Sequence, residues 1–304
     1  MTPSQTWDAT GDPYALNVEL HIPVAAEHLP KAGAFCRVWG IDLQTLLNAR
    51  SFNSQPIQVF GGMQAGLPLA NPAQQGLLVN GTIMPALGNW VNTDMTLDFY
   101  IKGAFGLPTP THPANVSHNW PKGTPMSQAV RQALTTAYPG YQVRMSISPS
   151  LVLPNDEQGI YQTIGQYATY LNGVSKSIIT TPNYQGVYVS ASDVNKTITV
   201  QDGTQAPTQG GQIVFTDLIG QPIWTGPRTV QFKTVMRGDI NIGDTITLPP
   251  SLATLTEGVN PAGNLSQSNL IQGSFRVTQM LHTGNFRQPD WQSWASTFDA
   301  VMAS

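Results

Sequence analysis

The chain has 304 residues and a mass of 32.8 kDa, room for a sizeable core and about two domains. Only 10% of its residues are charged, against roughly 25% in an ordinary soluble domain, and the net charge is −3. That balance argues against a phosphate-driven nucleic-acid binder, which needs a basic face, and against a polybasic membrane anchor. No run approaches 18 apolar residues, so no membrane insertion is expected, and Met1 to Gly11 lacks the pattern of a secretory signal. The single cysteine, Cys36, excludes an internal disulfide framework and a thiolate metal cluster. The expectation is a chain made in a cytoplasm that stays there or leaves by assembly. A surface poor in Lys and Glu but rich in amides and hydroxyls resembles an interface core more than a free surface, which favours a subunit of a larger assembly.

In chain order, the first strong element is a strand from Tyr14 to Val24, apolar at every even position. Pro23 marks its end or an edge. Phe35 to Trp39 reads as a strand, followed by a short helix around Leu43, Leu46 and Leu47. Ile57 to Phe60 is a strand ending at Gly61-Gly62. Leu77-Leu78-Val79, Asn80-Gly81 and Thr82-Ile83-Met84 read as a hairpin, since Asn-Gly suits a type I′ turn. Met95 to Ile101 alternates again.

Residues 106–123 form a Pro-rich connector. A helix follows, with Thr124 as its cap, Pro125 in its first turn and Met126, Val130, Leu134 and Tyr138 on one face. Gln142 to Ile147 is a short strand. A second helix fits Glu157 to Leu171, capped by Asn172-Gly173. The β pattern returns at Val187 to Ser190, Thr197 to Gln201, Gln212 to Thr216, Thr229 to Met236, Thr245 to Leu248 ending at Pro249-Pro250, and Ser274 to His282. Trp291 to Met302 fits a strand or a helix face equally. The fold class is therefore mainly β with a small α/β insertion. Its parts are a β unit over 1–105, the connector, an α/β unit over 124–180 and a second β unit over 181–304. Each β unit is long enough for a small barrel or sandwich.

Chemistry is sparse. His112 and His118 share a loop, but no Cys or carboxylate pair stands near to complete a metal site, so they read as solvated. His21 and His282 read as surface or interface groups on strands. Asp156-Glu157 reads as first-turn compensation of a helix dipole. Asp94 and Asp98 share a strand face, a spacing a glycosidase could use. Cys36 reads as a buried small hydrophobe, and Arg237-Gly238-Asp239 as turn chemistry. No nucleophile elbow, zinc helix, phosphate loop or dinucleotide turn occurs. The uniform absence weighs against an enzyme, and no cofactor or metal site is expected.

One stretch carries a resemblance. Ile213 to Pro222, Val230 to Arg237 and Asp239 to Pro249, with its Ile-x-x-Gly-Asp-x-Ile-x-Leu-Pro pattern, followed by Phe275 to Thr278 and His282 to Arg287, resemble the baseplate hub proteins of bacteriophage tails. The resemblance covers about a third of the chain. It implies two tail-tube-like β-barrel domains with α/β elements between them. It also implies a homotrimer whose six barrels form a pseudo-sixfold ring adapting the sixfold tail tube to the threefold central spike. The implied partners are the tail tube protein, the central spike protein and other baseplate proteins. DNA is only passing cargo, and the location is the virion baseplate. No activity and no single functional residue carries over. Trp120 and Pro121, and the polar loop 251–268, are candidate contact regions. The rival readings are a hexameric tube or distal-tail protein, and a carbohydrate-binding or cell-wall-cleaving protein using some of the seven tryptophans.

Overall fold

The computed structural model describes residues 6–8, 14–25, 33–63, 71–103, 115–181, 184–192, 196–202, 204, 209–226, 228–252, 254–255, 270–285, 287–288, 290 and 293–303. The fold is mainly β, as the alternating patterns require, with a small α/β insertion.

The first β unit holds β1 (Val18–Ala25), β2 (Ala34–Trp39), a short helix α1 (Leu43–Leu47), β3 (Pro56–Gly61), β4 (Gly76–Val91) and β5 (Asp94–Gly103). Alternation sets the faces: Leu20, Ile22, Cys36, Val38, Leu97, Phe99 and Ile101 are buried in one cluster. Asp42 caps α1, its Oδ1 accepting from the Thr45 N–H at 2.8 Å. Pro23 lies past the last β1–β2 pair, His21↔Phe35, where a missing N–H costs no ladder bond to β2.

The hairpin expected at Asn80-Gly81 is absent. β4 runs straight through it, pairing Asn80 with Gln58 and Gly81 with both Ile57 and Gly103. Neither residue has positive φ. Gly81 is needed for closeness, because a Cβ there would strike the Lys102 carbonyl. Pairing on both sides outweighs the local turn preference. The turn itself lies at Asn92-Thr93, where Asn92 takes φ 56° between the paired Val91 and Asp94. Pro85 is absorbed at the register shift between Ile83 and Ala86.

The middle unit holds β6 (Val116–Trp120), α2 (Met126–Ala137), β7 (Gln142–Ser146), β8 (Glu157–Tyr161), α3 (Ile164–Ile178), β9 (Tyr188–Ser192) and β10 (Thr197–Gln201). Four sequence expectations change here. Part of the connector is β6, paired with β8. Thr124 does not cap α2; the Met126 N–H donates instead to the Leu151 carbonyl at 2.8 Å. The second helix starts later than expected, capped by Thr163, and runs past Asn172-Gly173, so Glu157 opens a strand and not a helix. Asn172 is held in the helix by its side chain, which donates to Gln185 O and Val187 O. Finally, β9 and β10 pair with β7, not with the C-terminal strands, and their Val189, Ile198 and Val200 belong to the α/β core.

The C-terminal unit holds β11 (Gln209–Gln212), β12 (Ile223–Trp224), β13 (Thr229–Val235), β14 (Thr245–Leu252), β15 (Thr254–Leu255), β16 (Leu270–Asn285) and β17 (Trp294–Met302). The strand expected at 212–216 ends early and gives way to a 3-10 turn, Phe215–Asp217. β14 continues through Pro249-Pro250, where the register shifts between Leu248 and Ser251. The ambiguous end is a strand, because β17 is clamped between β13 and β16 on its two edges.

β16 decides the architecture. Its first half pairs with β14 and its second half with β1, while β17 follows its other edge. One sheet path thus runs β15-β12-β13-β17-β16-β1-β2-β5-β4-β3, joining the two ends of the chain.

Candidate functional site: the seam between the β units

The β1–β16 ladder, Glu19↔Asn285 through Ala25↔Gln279, is the seam. A row of polar side chains crosses it on the face away from the core. Asn285 donates to Glu19 Oε1 at 3.0 Å, Glu19 Oε2 lies 3.9 Å from Arg37, and Arg37 grips Asp98 with two bonds of 2.7 Å. Asn89 adds a bond of 3.1 Å to Asp98. Glu19↔Asn285, Glu19↔Arg37 and Arg37↔Asp98 are direct cross-strand partners, so strand register alone puts these side chains in contact. The hydrogen bonds to Asp98 hold the Arg37 guanidinium above its ordinary pKa. The guanidinium also lies against the Phe35 and Trp39 rings, at 5.4 and 5.5 Å. Beside the row lies a cleft of about 550 Å³ between β1, β2 and the turn after β16, with Glu19, His21, Phe35, Asn285, Gln288 and Asp290 on its walls.

A second contact crosses the seam at Arg237. This guanidinium is buried; it donates twice to Asp239 at 2.7 Å and once to Asp217 at 2.9 Å. Gln74, from the first unit, also donates to Asp217, and the Gly238 N–H donates to the Gln74 carbonyl at 2.9 Å. Gly76 permits this approach, since a Cβ there would collide with the Gly238 carbonyl. The Arg-Gly-Asp tripeptide is therefore turned inward and works as a joint. Trp294 completes the seam, its Nε1 donating to the Gly62 carbonyl at 2.8 Å.

Most of the sequence candidates are structural. Trp120, expected at a contact surface, is fully buried, with Nε1 donating to Thr124 O at 2.6 Å; its aromatic bulk is spent on the α/β core. Pro121 beside it is exposed. His118 is no loop residue. It sits on β6, 2% exposed, and its Nδ1 shares a hydrogen bond of 2.8 Å with the Tyr167 hydroxyl. Burial lowers its pKa. His112 and His28 lie outside the described residues, and His21 is exposed. His282, expected as a surface or interface group, is 2% exposed and shares a hydrogen bond of 2.8 Å with Ser296 Oγ. Burial brings its pKa down to about 4. Asp98 is committed to Arg37 and Asn89, so it forms no acid pair with the exposed Asp94. Asp156 accepts from the Lys122 N–H. The Cys36 thiol is buried, which pushes its pKa up to about 12, with Asp98 adding to the rise. The loop 251–268 lies largely outside the described residues, as does Trp291.

Among the described residues, no three His, Cys, Asp or Glu side chains converge on a point. No helix there is long and apolar enough to cross a membrane. The polar row escaped the sequence reading because its members are far apart in the chain; their local signal was no more than a charged or amide side chain at an outward strand position.

No family model matches the chain, and no curated protein matches it in sequence. Solved structures do. The Escherichia coli c3393 protein is described as a component of the type VI secretion system with structural similarity to the T4 bacteriophage tail proteins gp27 and gp5. It is 10% identical with a TM-score of 0.52, over 99% of this chain and 77% of that one. The 43 kDa tail protein of prophage MuSo2 from Shewanella oneidensis is 7% identical with a TM-score of 0.48, covering 95% of this chain and 94% of its own. A tail protein from Neisseria meningitidis MC58 is 9% identical with a TM-score of 0.48, covering 96% and 94%. The chain has the fold of the E. coli secretion-system component, itself described as structurally similar to phage tail proteins, and the resemblance read from the sequence is met there as a likeness of fold.

Proposed function

We propose that this protein is a structural component of a phage tail or a related tail-like assembly, in the position of a trimeric baseplate hub and without catalytic activity of its own. The observation that carries the reading is the likeness of fold to the E. coli protein over 99% of the chain. Composition supports it. Few charges cover the chain, and large apolar side chains stand exposed on both β units, among them Phe60 at 65%, Trp90 at 62% and Phe215 at 70%. In this reading the two β units are the tail-tube-like domains, joined by the seam, and the α/β unit is an attachment between them. The neighbours are the tail tube, the central spike and other baseplate proteins, the exposed Pro121 turn is a contact point, and the location is the virion tail.

The test is the mass of the purified chain, alone and mixed with candidate tail tube and central spike proteins. A trimer that joins both is expected. Six copies per assembled particle would point to a tube or distal-tail protein instead. A monomer at every concentration, joining neither partner, would overturn the proposal.

A further inference from the structure

The two β units and the α/β unit are joined in different ways. The β units share side chains: Met236 from β13's end and Trp294 from β17 pack in the first core, and Val24 from β1 packs against the C-terminal core. A seven-pair ladder also links them. The α/β core, in contrast, contains only residues between Val116 and Val200. Among the described residues, no strand pairing connects it to the large sheet.

Its junction with the C-terminal unit rests on a few polar contacts. Gln201 Nε2 donates to the Gly243 carbonyl at 2.8 Å. Arg276, on β16, lies over the Tyr188 ring of β9 at 4.4 Å. A void of about 10 Å³, bounded by Tyr188, Gln201, Ile242 and Arg276, remains between them. Arg276 is 5% exposed, yet its Nε and Nη1 find no acceptor. The nearby buried carboxylate does not reach it. Asp202 accepts from Ser148 N, Tyr184 Oη and twice from Thr204, all on its own side of the junction. A buried guanidinium with unmet N–H groups loses more by desolvation than distant charges return. The depressed pKa of Arg276, with burial as its main cause, has the same origin.

We propose that this junction is a latch poised to release: the α/β unit lifts away from the C-terminal β unit at Arg276 as one body, while both keep their own cores. Release hydrates the guanidinium and frees its N–H groups for water or for a carboxylate of a neighbouring protein. Release costs the contacts of a few side chains and breaks no ladder.

Thiol labelling of the full chain tests this. Ser190 on β9 is half-buried, borders the void and faces away from the α/β core with Tyr188, so Ser190→Cys places a thiol that a reagent reaches fully when the latch opens. The native Cys36, buried in the first core, reports unfolding of the β units. The Ser190→Cys thiol is expected to react at least about tenfold faster than Cys36. Adding Arg276→Met, which removes the buried charge and keeps the bulk, should slow that reaction about tenfold. Adding Gln201→Ala should speed it about fivefold. Far-UV circular dichroism and the Cys36 rate confirm that each variant is folded. Equal rates at the two thiols, or labelling that Arg276→Met leaves unchanged or speeds, would overturn the latch.

Discussion

The buried histidine of the seam gives the sharpest quantitative expectation. His282 sits on β16 between Ile22 and Ser296 and shares a hydrogen bond with Ser296 Oγ. Its pKa falls from 6.5 to about 4 because burial penalises the imidazolium. In the unfolded chain the ring returns to the ordinary value and takes up a proton that the folded state refuses. Stability from this group is therefore complete above about pH 6.5 and is lost as pH falls toward 4. The full difference is about 3 kcal/mol, of which about 2 kcal/mol is gone by pH 5. Urea unfolding at a series of pH values between 7.5 and 4.5 measures it. His282→Gln keeps a hydrogen-bonding group near Ser296 and removes the titration. The absolute stability of the variant is immaterial; the slope with pH is the readout. His118 and the carboxylates titrate in both proteins, so the difference between the two slopes isolates His282. The variant should lose about 2 kcal/mol less than the wild type between pH 7 and 5. Parallel slopes would refute the assignment of a buried neutral ring.

Three other changes test separate parts of the structure. Gly173 lies inside α3 with open space at its Cβ position, so Gly173→Ala should raise stability by about 0.5–1 kcal/mol in urea; a loss would mean that the helix ends there in a left-handed cap. Asp98→Ala removes both bonds to Arg37 and the one from Asn89, and should cost about 2 kcal/mol, whereas Asp94→Ala at the exposed hairpin should stay within about 0.5 kcal/mol of wild type. Gly76→Ala forces a methyl against the Gly238 carbonyl and should cost more than about 2 kcal/mol by disturbing the backbone contact between Gly238 and Gln74, read as a lowered thermal midpoint. An unchanged midpoint would show that the seam tolerates separation at that point.

The sequence by itself determined which segments alternate and therefore which carry a wet and a dry face. The solvent boundary acts on each strand locally, so β2, β5, β13 and α2 were legible with close to their observed limits, whereas β1 starts at Val18, four residues after the expected Tyr14, which is 91% exposed. It also determined the mainly β class, and the scarcity of charge that bears on assembly. What only the tertiary structure decided is who lies beside whom. Asn80-Gly81 has the local chemistry of a turn, but strands on both sides hold it extended. Glu157 to Tyr161 has helical spacing, yet a ladder to β6 makes it a strand. β9 and β10 read like the strands that follow them and were claimed by β7 instead. The polar row links Arg37 to Asp98 across 61 residues and Asn285 to Glu19 across 266, separations at which periodicity carries no information. Local propensities differ by about 1 kcal/mol or less, and pairing on two edges with burial of a whole face exceeds that. Long-range contacts therefore overrule the local preference wherever the two conflict.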